Sequence, residues 1–366
     1  MKIKILYVIA ALNAGGVENI LFNYVKCFDR NKYSIDIACY SFYNGIYRKK
    51  FEELGCGILE IPSKKKFIRS WVALERVLKL GKYDIVHVHQ DEKSMIPIVC
   101  AWLNNVPVRI VHAHNSDHGG ALTILNRRIS KLIFFCIANG YFACGKQVAR
   151  DFYGDKYSEK NVFIMNNAID SAKFMYDENA REKIREEYGI SHDEILLGSI
   201  ARLSNEKNHF FLIDIMKYLK KTSAKFKMIF WGDGPLKDEL FTRIKQLSLE
   251  NYIILAGARE DICKCYSALD LVVMPSLYEG MPITPLEALA NGLQVVLSDC
   301  ITREVGVTDD VHYLDLKDGP DKWANYIKDM NISRKKYINI GRYNLDEASK
   351  CVDLKYMELI NDQLHK

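Results

Sequence analysis

Short apolar runs alternate along the chain with longer segments in which apolar residues recur every three or four positions. The short runs are typical of strands buried on both faces of a parallel sheet, and the longer segments are typical of amphipathic helices. This alternation predicts an α/β protein built on doubly wound parallel sheets. The predicted strands are Ile3–Ile9, Ile35–Tyr40, Gly57–Ile61, Asp84–Val88, Val108–Val111, Tyr141–Ala143 and Val162–Met165, then Leu196–Ile200, Lys227–Trp231, Tyr252–Leu255, Asp270–Met274 and Leu293–Leu297.

The strands fall into two series, which predicts two domains. A chain of 366 residues is too long for one ordinary α/β domain and fits two. We predict an N-terminal domain of residues 1–166 and a second domain of residues 167–344, with the chain crossing between them at Asn166-Asn167-Ala168-Ile169-Asp170. Asn167 is expected to take a left-handed conformation in this turn, which asparagine tolerates well. The tail from Leu345 to Leu364 is predicted to be a helix.

The net charge divides unevenly between the two halves. Residues 1–165 hold 24 basic and 14 acidic residues, a balance of +10, whereas the remainder holds 27 and 32, a balance of −5. The basic half is therefore expected to face an acidic partner. Basic and aromatic residues cluster in two helical segments, Lys64–Trp71 and Leu122–Phe135. Such segments are either solvated faces or surfaces that rest on anionic lipid head groups.

The cysteines and the apolar runs bear on the compartment. Ten cysteines lie without regular spacing, and the close pair Cys263 and Cys265 matches no zinc pattern, which indicates reduced thiols. Residues 1–12 mimic the start of a signal peptide, but we interpret them as the first strand. The uncharged run over residues 132–145 is too short to span a membrane. We therefore expect a cytoplasmic protein.

Two glutamates mark the stretch from Pro275 to Asp299, which reads as strand end, loop, helix and strand. Glu279 lies on the loop, and Glu287 lies in the first turn of a helix that begins near Thr284. Backbone amides at such a helix start favour phosphate, while the carboxylates can accept hydrogen bonds from sugar or ribose hydroxyls. Glu287 has an alternative explanation, since Thr284 to Glu287 matches a capping box with proline at the first helical position. Glu279 has no such alternative.

Basic residues follow the first strand of the second series. Arg202 and Lys207 flank a turn and can converge on one diphosphate, and we expect Arg202 to be buried against the strand end. The next two loops, Gly232-Asp233-Gly234-Pro235 and Gly257-Ala258-Arg259, are ordinary turns by themselves.

A pair of glycines, Gly15 and Gly16, follows the first strand and opens a helix. The pattern is not Gly-x-Gly-x-x-Gly, so a nicotinamide or flavin site is disfavoured. Two adjacent glycines let a bulky group approach the backbone closely, although a plain strand-to-helix turn explains them equally well.

Histidines stand in two His-x-His pairs at predicted strand ends, His87 with His89 and His112 with His114. Because side chains two residues apart in a strand share a face, a zinc site must be considered. No third ligand or carboxylate has suitable spacing along the chain, so we expect no metal. The histidines are then hydrogen-bonded fillers of a crevice.

The stretch around Glu279 and Glu287 resembles the Glu-x7-Glu region of retaining glycosyltransferases of family 4, and in particular their bacterial capsule and exopolysaccharide branch. The resemblance covers nearly the whole chain, although Gln294 stands where the family usually has proline. It implies the GT-B fold, with two Rossmann-like domains facing a central cleft and a C-terminal helix that crosses back to the first domain.

The resemblance also implies roles for individual residues. Glu279 would contact sugar hydroxyls, Glu287 the ribose, and His114 the region of the transferred sugar. Arg202 and Lys207 would bind the donor diphosphate and, with His114 and Glu279, make up the catalytic set. The other implied donor-binding residues are Gly16, Arg259, Gly280, Met281, Pro282 and Ile283.

The implied reaction is transfer of a sugar, with retention, from a nucleoside-diphosphate sugar such as a UDP-sugar to a saccharide acceptor. The acceptor is expected to be linked to polyprenyl diphosphate, in capsule or exopolysaccharide synthesis, with the enzyme peripheral on the inner face of the cell membrane. The chain lacks an Asp-x-Asp motif, so we expect no metal on the diphosphate and no cofactor. No nucleic-acid recognition motif is found. A sugar-nucleotide epimerase of the same fold and a non-catalytic partner subunit remain as alternatives.

Overall fold

The computed structural model of the protein describes residues 2–13, 16–40, 45–62, 66–114, 130–222, 225–336 and 338–364. The chain divides into two compact units. Unit 1 comprises Met1–Ala168 and Arg342–Lys366, and unit 2 comprises Ile169–Gly341. Each unit is built on one parallel sheet.

The sheet of unit 1 has seven strands in the order β3-β2-β1-β4-β5-β6-β7, and every neighbouring pair is parallel. Its strands are β1 Ile3–Ile9, β2 Tyr33–Cys39, β3 Gly57–Glu60, β4 Ile85–Val88, β5 Val108–Ala113, β6 Gly140–Ala143 and β7 Val162–Ile164. The accompanying helices are α1 Gly16–Cys27, α2 Ile46–Glu53, α3 Phe67–Gly81, α4 Met95–Leu103, α5 over 130–137, α6 Lys146–Tyr153 and α7 Asp155–Asn161.

The sheet of unit 2 has six strands in the order β10-β9-β8-β11-β12-β13, again with parallel neighbours. Its strands are β8 Ile195–Ile200, β9 Phe226–Trp231, β10 Ile253–Gly257, β11 Leu271–Met274, β12 Gln294–Ser298 and β13 Val311–Leu314. Its helices are α8 Glu178–Glu187, α9 His209–Leu219, α10 Lys237–Gln246, α11 Ile262–Ala268, α12 Thr284–Ala290 and α13 Gly319–Asp329. Buried aliphatic side chains of α9, β8 and β9 pack with Trp323 of α13 in its core.

The last helix, α14 (Leu345–Leu364), belongs to unit 1, as the resemblance implied. Its Tyr356 hydroxyl lies 2.9 Å from the Tyr7 hydroxyl and 2.7 Å from Nδ1 of His87, in the buried core. At the margin, Asp353 accepts hydrogen bonds from Lys32 and Tyr33, each at 2.7 Å. Helix α14 therefore completes the core of unit 1.

The predicted strands are confirmed to within two residues at each end, and β13 is the strand that the sequence analysis missed. All four residues of β13 are only partly buried, so its apolar pattern is weak. The expected left-handed Asn167 is wrong, because the described non-glycine residues with positive φ are Lys82, Asp91, Asn105, Asn208 and Ser248.

The structure bears on two expectations about the membrane, the absence of a spanning helix and the two basic and aromatic segments. Among the described residues, no helix is both long enough and apolar enough to cross a membrane. Of the two basic and aromatic segments, Lys64, Lys65 and residues 122–129 lie outside the described part of the chain. Residues 66–71 are described and lie at the start of α3. Residues 130–135 are described and lie in α5.

Candidate active site

Three loops meet at the carboxyl edge of the unit 2 sheet, where ligands of open parallel sheets bind. They follow β9, β8 and β11, which are neighbours in the sheet. The backbone N–H of Leu203 donates to the carbonyl of Asp233 at 3.1 Å, and that of Leu277 donates to the carbonyl of Glu206 at 2.8 Å. Backbone hydrogen bonds thus hold the three loops in fixed positions.

The glycines of the loop after β9 are needed for this contact. A Cβ atom on Gly232, which has φ +152°, would lie 1.9 Å from the carbonyl oxygen of Ala201. A Cβ atom on Gly234 would lie 2.4 Å from the carbonyl oxygen of Leu203. Because both obstacles are backbone atoms, the two glycines serve the packing of one loop on another rather than an ordinary turn alone.

Lys207 and Glu279, both predicted site residues, form an ion pair with Nζ and Oε1 2.6 Å apart. Lys207 lies in a 3-10 turn, Asn205–Lys207, which ends at Asn208 with φ 56°. The Asn208 amide donates to the carbonyl of Pro275 at 3.1 Å and ties this turn to the loop after β11. The two charged side chains are only 21% and 11% exposed, so their attraction is screened less than that of a surface pair.

Arg202 lies on the same loop as Lys207 but is exposed, so the expectation that it is buried against the strand end is wrong. The strand ends at Ile200, and the chain has already turned outward at Arg202. Among the described residues it has no ion-pair partner. Its guanidinium is therefore available to an anionic ligand at this edge.

Glu287 lies inside α12, and the capping-box explanation of this residue is wrong. The N-cap residue of the helix is Ile283, whose side chain makes no capping hydrogen bond. The Thr284 hydroxyl donates instead to the carbonyl of Ile200 at 3.2 Å. The Glu287 carboxylate is 7% exposed and accepts a hydrogen bond from the Tyr266 hydroxyl at 2.5 Å. Burial raises the pKa of Glu287 to about 7, while the hydrogen bond from Tyr266 acts in the opposite direction.

Tyr266 is a site residue that the sequence analysis missed. It lies on α11 and is fully buried. Its hydroxyl donates to the Glu287 carboxylate, although the two residues are 21 positions apart along the chain. A tyrosine in an apolar helical segment is ordinarily part of the core, so no local pattern distinguishes it. A buried tyrosine needs a partner for its hydroxyl, however, and that requirement is the one indication the sequence offers.

Arg259 is held by other side chains. Its guanidinium pairs with Asp261 at 2.8 Å and with Glu187 at 2.6 Å. The hydrogen bond with Asp261 is the main reason that the pKa of Arg259 is raised. The structure thus uses Arg259 to join the loop after β10 to the end of α8. The predicted residues Met281 and Pro282 are buried, whereas Gly280 and Ile283 are partly exposed.

The two site residues predicted in unit 1 lie at the ends of strands or helices. Gly16 is the first residue of α1 and is exposed, and a Cβ atom there would have no neighbour within 4 Å among the residues that the structure describes. Packing therefore does not require glycine at this position. His114 follows β5, and its backbone N–H donates to the Asp91 carboxylate at 2.7 Å. Its Nε2 lies 2.8 Å from Nδ1 of His89, which leaves Nδ1 of His114 for a ligand.

The other three histidines of the two His-x-His pairs, His87, His89 and His112, form a buried cluster. The Nε2 atom of His87 lies 3.1 Å from Nδ1 of His112, so residues of both His-x-His pairs meet across neighbouring strands. No third metal ligand is evident from the sequence, because spacing along the chain does not show which residues of neighbouring strands are adjacent. The structure supplies the third imidazole from the adjacent strand.

Comparison with known proteins agrees with this architecture. The family model described as Glycosyltransferase Family 4 matches residues 14–173, and the model described as Glycosyl transferases group 1 matches residues 180–345. EpsF of Bacillus subtilis (strain 168), whose name assigns it to the glycosyltransferases, is 29% identical over 82% of this chain and 80% of its own. An Escherichia coli enzyme, UDP-Gal:alpha-D-GlcNAc-diphosphoundecaprenol alpha-1,3-galactosyltransferase, is 25% identical over 81% and 80%. Anabaena Alr3699/HepE, solved in complex with UDP-glucose, superposes with a TM-score of 0.76 at 17% identity over 99% of this chain and 98% of its own.

The two Rossmann-like units and these matches define a glycosyltransferase with the GT-B fold. The two family models together span both units. Within that class of enzymes, the chain belongs to glycosyltransferase family 4.

Proposed function

We propose that the protein transfers a sugar, with retention, from a UDP-sugar to a lipid-linked saccharide in the synthesis of exopolysaccharide or a related cell-surface glycan. The observation that carries the proposal is the charged edge of unit 2, where Arg202, Lys207 and Glu279 lie on adjoining loops. Two comparisons support the choice of substrates. The Escherichia coli relative is named for a UDP-sugar donor and a diphosphoundecaprenol-linked acceptor, and the Anabaena neighbour was solved with UDP-glucose.

The donor diphosphate is assigned to Arg202 and Lys207. Arg202 presents an exposed guanidinium, and Lys207 exchanges part of its contact with Glu279 for a phosphate oxygen when the donor binds. This exchange turns the Glu279 carboxylate toward the sugar hydroxyls. In a site that excludes water, each donor group of this kind contributes about 3 kcal/mol to stabilising the departing diphosphate.

The chemical step needs no protein nucleophile in this proposal. The bond between the anomeric carbon and the diphosphate oxygen breaks, and the acceptor oxygen bonds to the same face of that carbon. The acceptor proton passes to an oxygen of the leaving phosphate. Positive charge at Arg202 and Lys207 stabilises the diphosphate as it leaves, which is where the protein lowers the barrier.

Glu287 is assigned to the ribose hydroxyls of the donor. Its carboxylate already accepts one hydrogen bond from Tyr266 and has further lone pairs for two vicinal hydroxyls. Tyr266 is then a positioning residue, because it holds the carboxylate in one orientation. Helix α12 has only seven residues, so its dipole adds little, and individual amides of Gly280–Ile283 supply the remaining contacts to the donor.

Unit 1 contributes Gly16 and His114 in this proposal. The open space around Gly16 admits a bulky group close to the backbone at the start of α1. His114 offers Nδ1 to the transferred sugar, since His89 holds its Nε2. Burial lowers the pKa of His114, while the Asp91 carboxylate opposes that shift. A neutral imidazole can donate to or accept from a sugar hydroxyl.

Replacing Lys207 tests the donor assignment. The Lys207→Ala variant is expected to lose roughly 100-fold or more in kcat/KM with a UDP-sugar, because one charged donor to the diphosphate is removed. The matched control is Lys225→Ala, which breaks the exposed ion pair with Asp193 at the opposite end of the same sheet and should retain full activity. Thermal-shift measurement against a panel of nucleotide sugars identifies the donor first, since a bound ligand raises the melting temperature. Near-full activity in folded Lys207→Ala contradicts the assignment.

Reaction products distinguish transfer from epimerisation. A transferase releases UDP only when an acceptor is present, whereas an epimerase converts the nucleotide sugar in its absence. Incubating the protein with the donor identified above, with and without a synthetic polyprenyl-diphosphate saccharide, separates the two activities. Retention follows from the anomeric configuration of the isolated product, measured by NMR.

We further propose that α3 rests on an anionic membrane surface, where a lipid-linked acceptor would be found. Its exposed side carries Ile68, Val72 and Leu80, which are 76%, 61% and 74% exposed. Arg69 and Arg76 are exposed on the same side, and an ideal helix places all five within an arc of about 120°. Aliphatic side chains beside cations are what an interfacial helix presents to lipid. Unit 1 as a whole holds 28 basic and 19 acidic residues, which favours the same surface.

Vesicle binding tests this surface. Replacing Arg69 and Arg76 with glutamine is expected to weaken binding to anionic vesicles by at least about 10-fold at low salt, because each cation near the surface contributes about 1 kcal/mol. The control replaces the exposed Lys225 and Lys237 of unit 2 with glutamine and so removes equal charge. Equal loss in the control, or no loss in the α3 variant, returns α3 to an ordinary solvated face.

A further inference from the structure

Three buried histidines of unit 1 converge from neighbouring strands. His87 lies on β4, His89 directly follows it, and His112 lies on β5. One ring nitrogen from each lies within 4.8 Å of the others. The three side chains are 0%, 5% and 1% exposed, and the rings of His87 and His89 stack with centroids 4.3 Å apart.

Hydrogen bonds account for only part of this cluster. Nδ1 of His87 pairs with the Tyr356 hydroxyl at 2.7 Å, and Nδ1 of His89 pairs with Nε2 of His114 at 2.8 Å. The Nε2 atoms of His89 and His112 have no hydrogen-bond partner among the residues that the structure describes. Two unpaired nitrogens in one buried cluster are unusual, because nearly all buried polar atoms in proteins are paired.

The pattern of paired and unpaired nitrogens is the one that metal-binding histidines show. A ligating imidazole binds the ion through one nitrogen and donates its other N–H to an oxygen or another acceptor, which fixes its orientation. His87 has such a partner in Tyr356, and His89 has one in His114. In both residues Nδ1 is held, so Nε2 is the nitrogen that faces the cluster.

We propose that His87, His89 and His112 bind one divalent transition-metal ion of the zinc type through one ring nitrogen of each. Zinc is bound by nitrogen at about 2.0–2.1 Å in tetrahedral geometry, so the three nitrogens would lie roughly 3.3 Å apart in the loaded site. Side-chain adjustments bring the three nitrogens together, and the hydrogen bond between His87 and His112 gives way to the ion. The fourth position is left to water or to another ligand.

A carboxylate near the cluster favours a cation. The Asp91 carboxylate accepts a hydrogen bond from the backbone N–H of His114 at 2.7 Å, and His114 in turn contacts His89. Negative charge therefore lies one residue away from the cluster. The site lies in unit 1 and is independent of the donor-binding residues proposed in unit 2.

Metal binding would also hold His114 in place through His89. This consequence rests on the proposed function, since it concerns the histidine assigned to the transferred sugar. Metal binding itself does not depend on that assignment and is measured without any sugar donor.

The experiment uses the full-length protein after treatment with a chelator. Titration with Co²⁺ is expected to give one equivalent bound, with visible absorption typical of tetrahedral nitrogen coordination. Competition with Zn²⁺ then yields the zinc affinity. In His89→Phe and His112→Phe the stoichiometric binding is expected to disappear, because each variant removes one ligand.

Tyr356→Phe provides a milder variant that keeps the buried ring. Loss of the hydroxyl that orients His87 is expected to weaken binding by roughly 10-fold. His192→Ala, which removes an exposed histidine of unit 2, should leave binding unchanged. The proposal is overturned if the wild-type protein gives no Co²⁺ band, or if His89→Phe and His112→Phe bind Co²⁺ as tightly as the wild type does. Either result would identify a neutral hydrogen-bonded cluster. If the phenylalanine variants do not fold, unchanged affinity in Tyr356→Phe has the same meaning.

Discussion

The carboxyl edges of the two sheets belong to units of similar architecture but carry different chemistry. In unit 2 the edge is charged, with the Lys207–Glu279 pair and an exposed Arg202 on its loops. In unit 1 the edge carries histidine rings, and those of His87 and His112 are buried in the strands themselves.

The difference shows that one fold can present different side-chain chemistry at the same edge of its sheet. Charged side chains on loops can reorganise when an anionic ligand arrives, and unit 2 places them where a diphosphate would bind. Neutral rings in strands are fixed by their own hydrogen bonds and suit uncharged hydroxyl groups or a metal ion. The fold positions both sets at strand ends, whereas the side chains decide what each edge can bind.

The largest difference in stability is expected between two glycine substitutions, one at each sheet's carboxyl edge. Gly232→Ala places a Cβ atom against the Ala201 carbonyl and is expected to lower the free energy of unfolding by about 3 kcal/mol or more. Gly16→Ala meets no neighbour, and alanine favours a helix start over glycine, so stability should be unchanged or rise by up to about 1 kcal/mol. Denaturant unfolding of both variants measures the contrast. A stable Gly232→Ala protein would show that the loop can move aside.

The buried carboxyl of unit 2 should make stability depend on pH. The pKa of Glu287 is about 7 in the folded protein and near 4.5 when unfolded, so its protonated form stabilises the fold below pH 4.5 and this stability is lost as pH rises through 7. The loss amounts to about 3 kcal/mol between pH 4.5 and 8. Glu287→Gln cannot ionise and should gain that much relative to wild type over this range. Denaturant unfolding at both pH values, followed by tryptophan fluorescence, provides the check.

Removing the partner of this carboxyl has a smaller effect. Tyr266→Phe deletes the hydroxyl that donates to Glu287 and should cost about 1–3 kcal/mol at pH 8, because the buried carboxylate loses its hydrogen bond. The pKa of Glu287 should rise further, since this hydrogen bond lowers it. A double-mutant cycle with Glu287→Gln isolates the interaction. Additive effects of the two substitutions would show that the hydroxyl and the carboxyl do not interact.

A smaller loss of stability is expected at the charged margin of unit 1. Asp353 is one-third exposed and pairs with Lys32, so Asp353→Asn should cost less than about 1 kcal/mol. The asparagine oxygen can still accept from Tyr33. Thermal unfolding of this variant beside Tyr356→Phe compares the margin of α14 with its buried centre. A larger loss of stability in Asp353→Asn than in Tyr356→Phe would show that the partly exposed ion pair, rather than the buried hydroxyl, anchors α14.

Sequence patterns predicted the strands well because each strand is a short apolar run between polar turns. Such a run is the usual sequence pattern of a buried parallel strand. The pairing of Lys207 with Glu279 was not predictable as a contact, since 72 residues separate them along the chain. The exposure of Arg202 was mispredicted for a related reason. A strand end locates a loop, but whether a long side chain then turns outward depends on the neighbouring loops.

Glu287 shows how a local rule can mislead. Its position three residues after Thr284 fits a capping box, yet the hydroxyl and the carboxyl each find a partner in another element of unit 2. Tertiary partners of this kind lie outside any sequence window. The histidine cluster is similar, because its third member comes from an adjacent strand rather than from the same strand.

Helix α14 also sets an order of events during synthesis. Unit 2 is one continuous stretch, Ile169–Gly341, and can fold as soon as it leaves the ribosome, whereas unit 1 lacks the Tyr356 ring until residues translated after unit 2 emerge. The second unit made is therefore the first that can be finished. Until then the nascent N-terminal sheet exposes Tyr7 and His87, which makes that interval the one in which a chaperone has most to protect.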